Sequence, residues 1–218
     1  MKTNLTISQM LDEAKGFAEI ESIYAEPSLF GVTDGKAVGT YIEHKFKAYL
    51  AQNYEVAFSS SASGIDLPEL NVDIKVTSIN QPQSSCPFKS ARQKIFGLGY
   101  SLLIFVYRKT DDAVNRTANL NILHTIFVEK ERTADFQMTT GLKQILENSG
   151  NVDDLVSFMQ SRNLPLDDIE AIQIAEEILE GKPIVEGYLT ISNALQWRLQ
   201  YGRVISEAGK VNGIRRVR

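Results

Sequence analysis

The chain has 218 residues, of which 43% are hydrophobic and 23% charged, an ordinary composition for a globular protein with a sizeable core. A single cysteine excludes an internal disulfide and a cysteine-rich zinc site. The formal net charge of −4 argues mildly against nucleic-acid binding, but residues 140–186 carry a net −7 and residues 187–218 a net +5, so a basic face remains possible.

Two further features concern the compartment. No apolar run approaches the roughly 18 residues needed to span a bilayer, and acids stand early in the chain, at Asp12 and Glu13, where a signal peptide would be apolar. Cys86 is expected to be a reduced thiol. These features predict a cytoplasmic protein without a membrane partner.

The N-terminal region predicts two helices. Residues 7–22 have a helical apolar stripe, and Thr6 and Gln9 have capping-box spacing ahead of it. Glycines at positions 31, 35 and 39 predict a loop. A second amphipathic helix is expected from Thr40 to Gln52, with Glu43 at the edge of its apolar stripe.

The middle of the chain predicts strands. Residues 71–78 alternate between apolar and polar positions, which indicates a strand with one buried face. The stretch from Tyr100 to Arg108 is apolar throughout, as expected of a central strand buried on both faces. The remaining predictions for this region are a strand at 54–59, a turn at 59–64, a polar loop at 80–85, a helix at 87–98 and a strand at 120–128.

After about residue 135 the strand signal stops and helices are predicted near 139–148, 152–161 and 166–180. A last helix is expected from Ser192 to Tyr201, with Gly202 as its stop and a basic hairpin-like tail behind it. The predicted organisation is therefore a core at 1–135 and a helical subdomain at 136–218. A helix followed by a basic wing is a common reader of the DNA major groove, although the same helix could only close the core.

One short motif carries chemistry. Five acid-x-Lys triplets occur in the chain, but only Asp73-Ile74-Lys75 falls within an alternating strand, where both charged side chains share a face. Asp66 precedes Leu67-Pro68, and the short connection predicts a tight hairpin that brings Asp66 beside Asp73. Two adjacent carboxylates repel each other by roughly 1–4 kcal/mol, so a divalent cation between them is the natural explanation.

The residue types fit magnesium, which prefers one or two carboxylates, waters and phosphate oxygens. The carbonyl of Ile74 could supply another oxygen ligand, and Glu43 could complete the shell from the second helix. Lys75 could orient or deprotonate the attacking water, or offset negative charge in the transition state. The alternative is an exposed ion pair without function, stabilised by less than about 1 kcal/mol.

With these residues in this order, the chain resembles the PD-(D/E)xK nuclease superfamily, which includes most type II restriction endonucleases. The resemblance covers roughly residues 38–130. It implies an α/β fold with a mixed sheet flanked by helices, Mg²⁺ bound by the matching carboxylates, a lysine acting at the water, and 5′-phosphate products. Ile65 stands where the family motif has proline.

The polarity and position of several side chains predict contacts with DNA. Amide and hydroxyl side chains of the loop after the motif strand could reach base edges. The resemblance implies that the following helix lies near the DNA backbone, and the C-terminal helix could read the major groove. The candidates are Gln81, Gln83, Ser84, Ser85, Lys89, Arg92, Gln93, Lys94, Asn193, Gln196, Arg198 and Arg203.

The sequence therefore predicts a magnesium-dependent endonuclease of double-stranded DNA, of the type II restriction class, acting as a homodimer on palindromic sites. No Gly-x-x-x-x-Gly-Lys loop is present, so no ATP dependence is expected. The alternatives are a repair or junction-resolving nuclease of the same superfamily, and a non-catalytic DNA-binding regulator.

Overall fold

The computed structural model describes residues 2–59, 65–87, 89–192 and 197–218. The helices of the described chain are α1 Ile7–Ile23, α2 Gly35–Asn53, α3 Gln93–Phe96, α4 Phe136–Glu147, α5 Val152–Ser161, α6 Asp168–Leu179 and α7 Gly202–Glu207. The strands are β1 Thr3–Asn4, β2 Ala25–Glu26, β3 Tyr54–Glu55, β4 Val72–Ser78, β5 Gln83–Cys86, β6 Ser101–Asp112, β7 Thr117–Val128, β8 Thr190–Ile191, β9 Trp197–Gln200 and β10 Ile214–Arg216.

The main sheet is mixed. Its order is β10-β7-β6-β4, with β2 also paired to β7. The β6–β7 hairpin is antiparallel, whereas β4 runs parallel to β6 and forms the end of the sheet. This confirms the predicted α/β class with a mixed sheet flanked by helices. It also leaves one side of β4 without a strand of this sheet beside it.

The apolar run of β6 is explained by burial on both faces. Leu103, Phe105 and Tyr107 point towards the core formed with α1 and α2. The alternate residues of β6 point to a second core built with β8, β9 and α7. Because successive strand residues face opposite sides, a strand between two cores must be apolar at nearly every position, as the sequence predicted.

A bulge in β7 keeps the two cores continuous. The register of the β6–β7 pairing shifts between Val106 and Tyr107, where the partners change from His124 to Ile122. On the N-terminal side of the bulge, the even-numbered residue Ile122 of β7 faces the α1/α2 core. On the C-terminal side, the odd-numbered residue Phe127 faces that core, because the extra residue exchanges the two faces of the strand.

Two helices hold the motif strand from one side. Phe17 of α1, Phe46 of α2 and Phe105 of β6 pack with ring centroids 5.1–5.7 Å apart. A Cβ on Gly39 would lie 3.9 Å from Val76 Cβ, so the missing side chain lets α2 approach β4 closely. The predicted first helix, with its Thr6–Gln9 capping box, is confirmed.

The second helix begins earlier than predicted, so the loop at positions 35 and 39 was wrong. Asp34 caps the helix by accepting a hydrogen bond from the Lys36 amide at 2.9 Å. The glycines predict a loop, but the Asp34 cap and the contact of Gly39 with β4 stabilise a helix instead.

The three predicted helices after residue 135 are confirmed as α4, α5 and α6. They share a separate apolar cluster with Ile95 of α3. The division at residue 135 stays a prediction. Strand β10, from the end of the chain, pairs with β7 in the main sheet, so the last residues return to the core region.

The predicted helix at 87–98 was wrong for most of its length. Among the described residues of this stretch, 87 and 89–98, the helix is limited to Gln93–Phe96, and Gly97 and Gly99 follow with φ of 87° and 88°, outside the helical region. The predicted polar loop also contains a strand, because β5 pairs antiparallel with β9. That pairing joins residues more than a hundred positions apart and has no local signal.

The predicted helix from Ser192 to Tyr201 was wrong as well. Trp197 and Leu199 are buried while Arg198 and Gln200 are exposed, which is the alternation of a strand. Gly202 begins α7 rather than ending a helix. Asn193 and Gln196 lie outside the described residues.

The basic tail is bound to the protein itself. Arg215 forms an ion pair with Glu129, Arg216 contacts His124 Nδ1 at 3.0 Å, and Arg218 donates to the Ala18 carbonyl at 2.6 Å. These contacts replace the predicted wing with a strand and a C-terminus anchored on α1. Within the described ranges, no helix has the length and apolar character to cross a bilayer.

Candidate active site

A hairpin places Asp66 beside the motif strand, as predicted. Leu67 and Val72 form an antiparallel bridge, with amide-to-carbonyl distances of 2.9 and 3.2 Å, around a single turn of 3₁₀ helix at Pro68–Leu70. Asp66 therefore folds back onto β4, where its Oδ2 accepts a hydrogen bond from the Ile74 amide at 2.9 Å.

This hydrogen bond also locates the Ile74 carbonyl. The N–H and C=O of one strand residue point to the same side of the strand, and the Ile74 amide points away from β6 to reach Asp66. Its carbonyl is then directed to the same free side of β4. The predicted oxygen ligand lies on the side of the strand that carries the Asp66 carboxylate.

Asp73 and Lys75 form a buried ion pair on the opposite face from the α1/α2 core. Lys75 Nζ lies 2.7 Å from Asp73 Oδ2, and Asp73 is only 4% exposed. Lys75 is also largely buried. Burial lowers the pKa of Lys75, but the charge of Asp73 and the hydrogen bond to it outweigh burial and raise that pKa above its usual value.

The carboxyl groups of Asp66 and Asp73 are close enough to hydrogen-bond to each other, so they compete for protons. Burial raises the pKa of Asp73 to about 7, with Lys75 opposing the shift and the contact with Asp66 reinforcing it. Burial also raises the pKa of Asp66, but hydrogen bonds from Asp73, Lys47 and the Ile74 amide outweigh burial and hold that pKa below the usual value. Of the two carboxyl groups, Asp73 is therefore the one that takes up a proton first as the pH falls.

Lys47 of α2 is a member of the site that the sequence analysis missed. Its Nζ lies 2.6 Å from Asp66 Oδ1 and 2.6 Å from Glu43 Oε1. Glu43 and Lys47 are four residues apart on one helix, a spacing that favours such an ion pair. This spacing is the feature of the sequence that could have indicated Lys47. The predicted ligand Glu43 is thus held by an ammonium group rather than joined directly to the aspartates.

The donor set of the two aspartates fits a hard divalent cation. Two neighbouring carboxyl groups compete for protons, a cation between them would relieve their repulsion, and the Ile74 carbonyl offers a third oxygen. Across the described ranges, no group of three or more His, Cys, Asp or Glu side chains is arranged to hold a metal ion.

A cleft of about 1170 Å³ adjoins this site, and Glu43, Ile74 and Lys75 lie on its wall. The predicted contacts Gln81, Gln83, Ser84 and Ser85 all line it. Its other charged lining residues are Asp34, Lys36, Lys109, Asp111 and Arg198. Arg198 comes from β9, whose pairing with β5 brings this exposed arginine beside the polar segment.

The candidates from the predicted helix at 87–98 are placed differently. Lys94 is 4% exposed and donates to the Ile191 carbonyl at 2.9 Å, so its side chain is engaged inside the protein. Gln93 donates to the Leu98 carbonyl at 3.1 Å, and Arg92 is paired with Glu177. Lys89 is exposed.

Arg203 is exposed on α7 and stacks its guanidinium 3.5 Å above the Phe136 ring. Like Lys89, Arg92, Gln93 and Lys94, it is outside the described lining of the cleft. Of the predicted contacts that the structure describes, Gln81, Gln83, Ser84, Ser85 and Arg198 line the same cleft as Glu43, Ile74 and Lys75.

The end strand of the mixed sheet carries Asp73 and Lys75, and the hairpin before it carries Asp66, next to a polar cleft. This arrangement defines a restriction-endonuclease-like nuclease core. Comparison with known proteins gives the same result. The family described as type II restriction enzyme NspV matches residues 4–216. The type II restriction enzyme NspV of Nostoc sp. is 68% identical over 212 residues, covering 97% of this chain and 96% of that protein.

The chain therefore belongs to the NspV family of type II restriction enzymes. The predicted class, a type II site-specific deoxyribonuclease acting on DNA, is confirmed by this membership. No solved structure matches the chain.

The shared proton predicts a pH dependence of stability in metal-free protein. The pKa of Asp73 is raised to about 7 on folding, so its stabilising contribution is present at low pH and is lost as pH rises from about 4 through about 7. The slope cannot exceed roughly 1.4 kcal/mol per pH unit for one group.

The measurement is urea unfolding of wild type and Asp73→Asn between pH 5 and 8, without divalent ions. The free energy of unfolding of wild type, relative to the variant, should fall across this range. Parallel curves for the two proteins would contradict the proton assignment. Asp153→Asn, an exposed change on α5, serves as a control and should follow wild type.

Proposed function

We propose that the protein hydrolyses phosphodiester bonds of double-stranded DNA at specific sequences, using Mg²⁺ held by Asp66 and Asp73, with Lys75 acting at the water, and leaving 5′-phosphates. The observation that carries the proposal is the hydrogen-bonded pair of carboxyl groups beside a buried lysine. Membership of the type II restriction enzyme family supports it.

Asp66, Asp73 and the Ile74 carbonyl are the proposed ligands. A bound divalent cation supplies Lewis acidity, which lowers the pKa of an attacking water and polarises a phosphate oxygen. The protein keeps Asp66 ionised through Lys47 and the Ile74 amide. Asp73 must give up its proton before it can act as a second anionic ligand.

Lys75 is proposed to act as a cation rather than as a base. Its pKa is raised, with the charge of Asp73 outweighing burial, so the ammonium group is the form present at neutral pH. A buried ammonium donates hydrogen bonds and offsets developing negative charge at a fixed point. Of the roles considered for Lys75, orienting the water and stabilising the transition state are the two this geometry favours.

The cleft is proposed to hold the DNA next to the reacting phosphate. Amide and hydroxyl side chains of Gln81, Gln83, Ser84 and Ser85 can read base edges, and Arg198 can contact a phosphate. These residues come from β5 and β9, which pair with each other. In this proposal the DNA is read by the surface of strands β5 and β9, and not by the C-terminal helix that the sequence predicts.

Removal of the central residues should abolish cleavage. With plasmid DNA and Mg²⁺, wild type should give discrete fragments, and Asp73→Ala and Lys75→Ala should each lose at least about a thousandfold in rate, since a group acting on the transition state is removed. DNA binding by both variants should remain.

The matched control is Asp153→Asn, which should cleave at the wild-type rate. Cleavage by Asp73→Ala within tenfold of wild type would contradict the site assignment. Cleavage at random positions by wild type would contradict site specificity.

Arg198 gives a separate prediction. If it contacts a phosphate, Arg198→Ala should reduce the slope of log binding constant against log salt by about 1. The measurement is duplex binding at several salt concentrations in the cleavage-deficient Asp73→Ala background. Lys210→Ala, an exposed change outside the described lining of the cleft, should leave the slope unchanged. An unaltered slope for Arg198→Ala would remove this residue from the phosphate contacts.

A homodimer is proposed because duplex DNA has two strands to cut, and the described residues contain one such carboxylate pair per chain. A palindromic site and a two-fold symmetric dimer share the same symmetry. Sedimentation velocity of the protein with its cognate duplex should give two chains per duplex. One chain per duplex during double-strand cleavage would contradict the dimer.

A further inference from the structure

Lys47 lies between two carboxylates on the flank of the proposed metal site. Its Nζ is 2.6 Å from both Glu43 Oε1 and Asp66 Oδ1, and its side chain is 15% exposed. Asp66 meets Lys47 through one oxygen and the Ile74 amide through the other. The Asp66 carboxylate therefore has the Lys47 ammonium group on one side and the Asp73 carboxyl group on the other.

This arrangement resembles half of a two-cation site. In nucleases with two metal ions, the ions lie about 3.5–4 Å apart and share carboxylate ligands. Here the second position, between Asp66 and Glu43, is filled by an ammonium group of the protein. A second divalent ion could bind these two carboxylates only if Lys47 moved away.

The charges support the same conclusion. Glu43, Asp66 and Asp73 face Lys47 and Lys75, so three carboxylates against two ammonium groups leave one net negative charge when all are ionised. One divalent cation would change the net charge of the site to one positive charge, which matches the single negative charge of a phosphodiester. A second would add two further positive charges to a largely buried site, which is costly unless an ammonium leaves.

We propose that Lys47 takes the place of a second divalent cation, so that each chain binds one divalent ion at Asp66 and Asp73 while Glu43 serves Lys47 instead of the metal. Lys47 is then a positioning residue, because it fixes Asp66 towards the cation without touching it. This inference rests on the proposed metal-dependent function.

The test counts ions rather than activity. Metal-free protein is titrated with Mn²⁺ in the absence of DNA, and free Mn²⁺ is measured by electron paramagnetic resonance. Wild type should bind one Mn²⁺ per chain at the site. Lys47→Met keeps the length of the side chain but removes the charge, and should bind two. Lys15→Met, an exposed change on α1, is the matched control and should bind one.

Lys47→Gln provides a second variant in case the methionine destabilises α2, and circular dichroism checks the fold of each protein. Two ions bound by wild type, or one ion bound by both Lys47 variants, would overturn the inference and leave the metal-dependent function standing. No Mn²⁺ bound by wild type, up to millimolar concentration, would also overturn the inference, whereas site-specific cleavage by wild type in the presence of a metal chelator would overturn the metal-dependent function. Asp66→Asn should bind none, which ties the count to this site.

Discussion

The hydrogen bond between the carboxyl groups of Asp66 and Asp73 is the contact on which the site depends. Two buried carboxylates cannot both be ionised without a compensating charge, and in the protein alone the compensation is a proton together with Lys75 and Lys47. The repulsion between the two carboxylates therefore lowers the stability of the fold. A divalent cation between them would remove this repulsion, and its binding would be more favourable for that reason.

The rest of the fold serves to hold that pair in place. The Leu67–Val72 bridge determines how Asp66 returns to β4, and the parallel pairing with β6 fixes β4 to the buried centre of the sheet. Helix α2 is drawn against β4 where Gly39 has no side chain, which brings Lys47 within reach of Asp66. The position of the Asp66 carboxylate therefore depends both on the local turn and on long-range packing.

This division explains what could be predicted from the sequence. Asp73, Lys75 and Asp66 could be found because their arrangement depends on strand alternation and a short hairpin, both of which are local. The strand at Trp197–Gln200 could not, since its apolar spacing also suits a helix and its partner β5 is distant in the chain. The burial of Lys94 and the dual contact of Lys47 likewise arise from tertiary packing that no local pattern encodes.

The acidic chain raises a last question about how DNA is attracted. The arginines at positions 215, 216 and 218 lie against Glu129, His124 and α1, so they stabilise the fold rather than form a free basic arm. The cleft itself has both signs of charge, with Lys36, Lys75, Lys109 and Arg198 set against carboxylates. A divalent cation at Asp66 and Asp73 would shift that balance to positive beside the scissile phosphate. Under the proposed function, metal binding would then contribute to DNA affinity as well as to chemistry, and one pair of aspartates would couple the two steps.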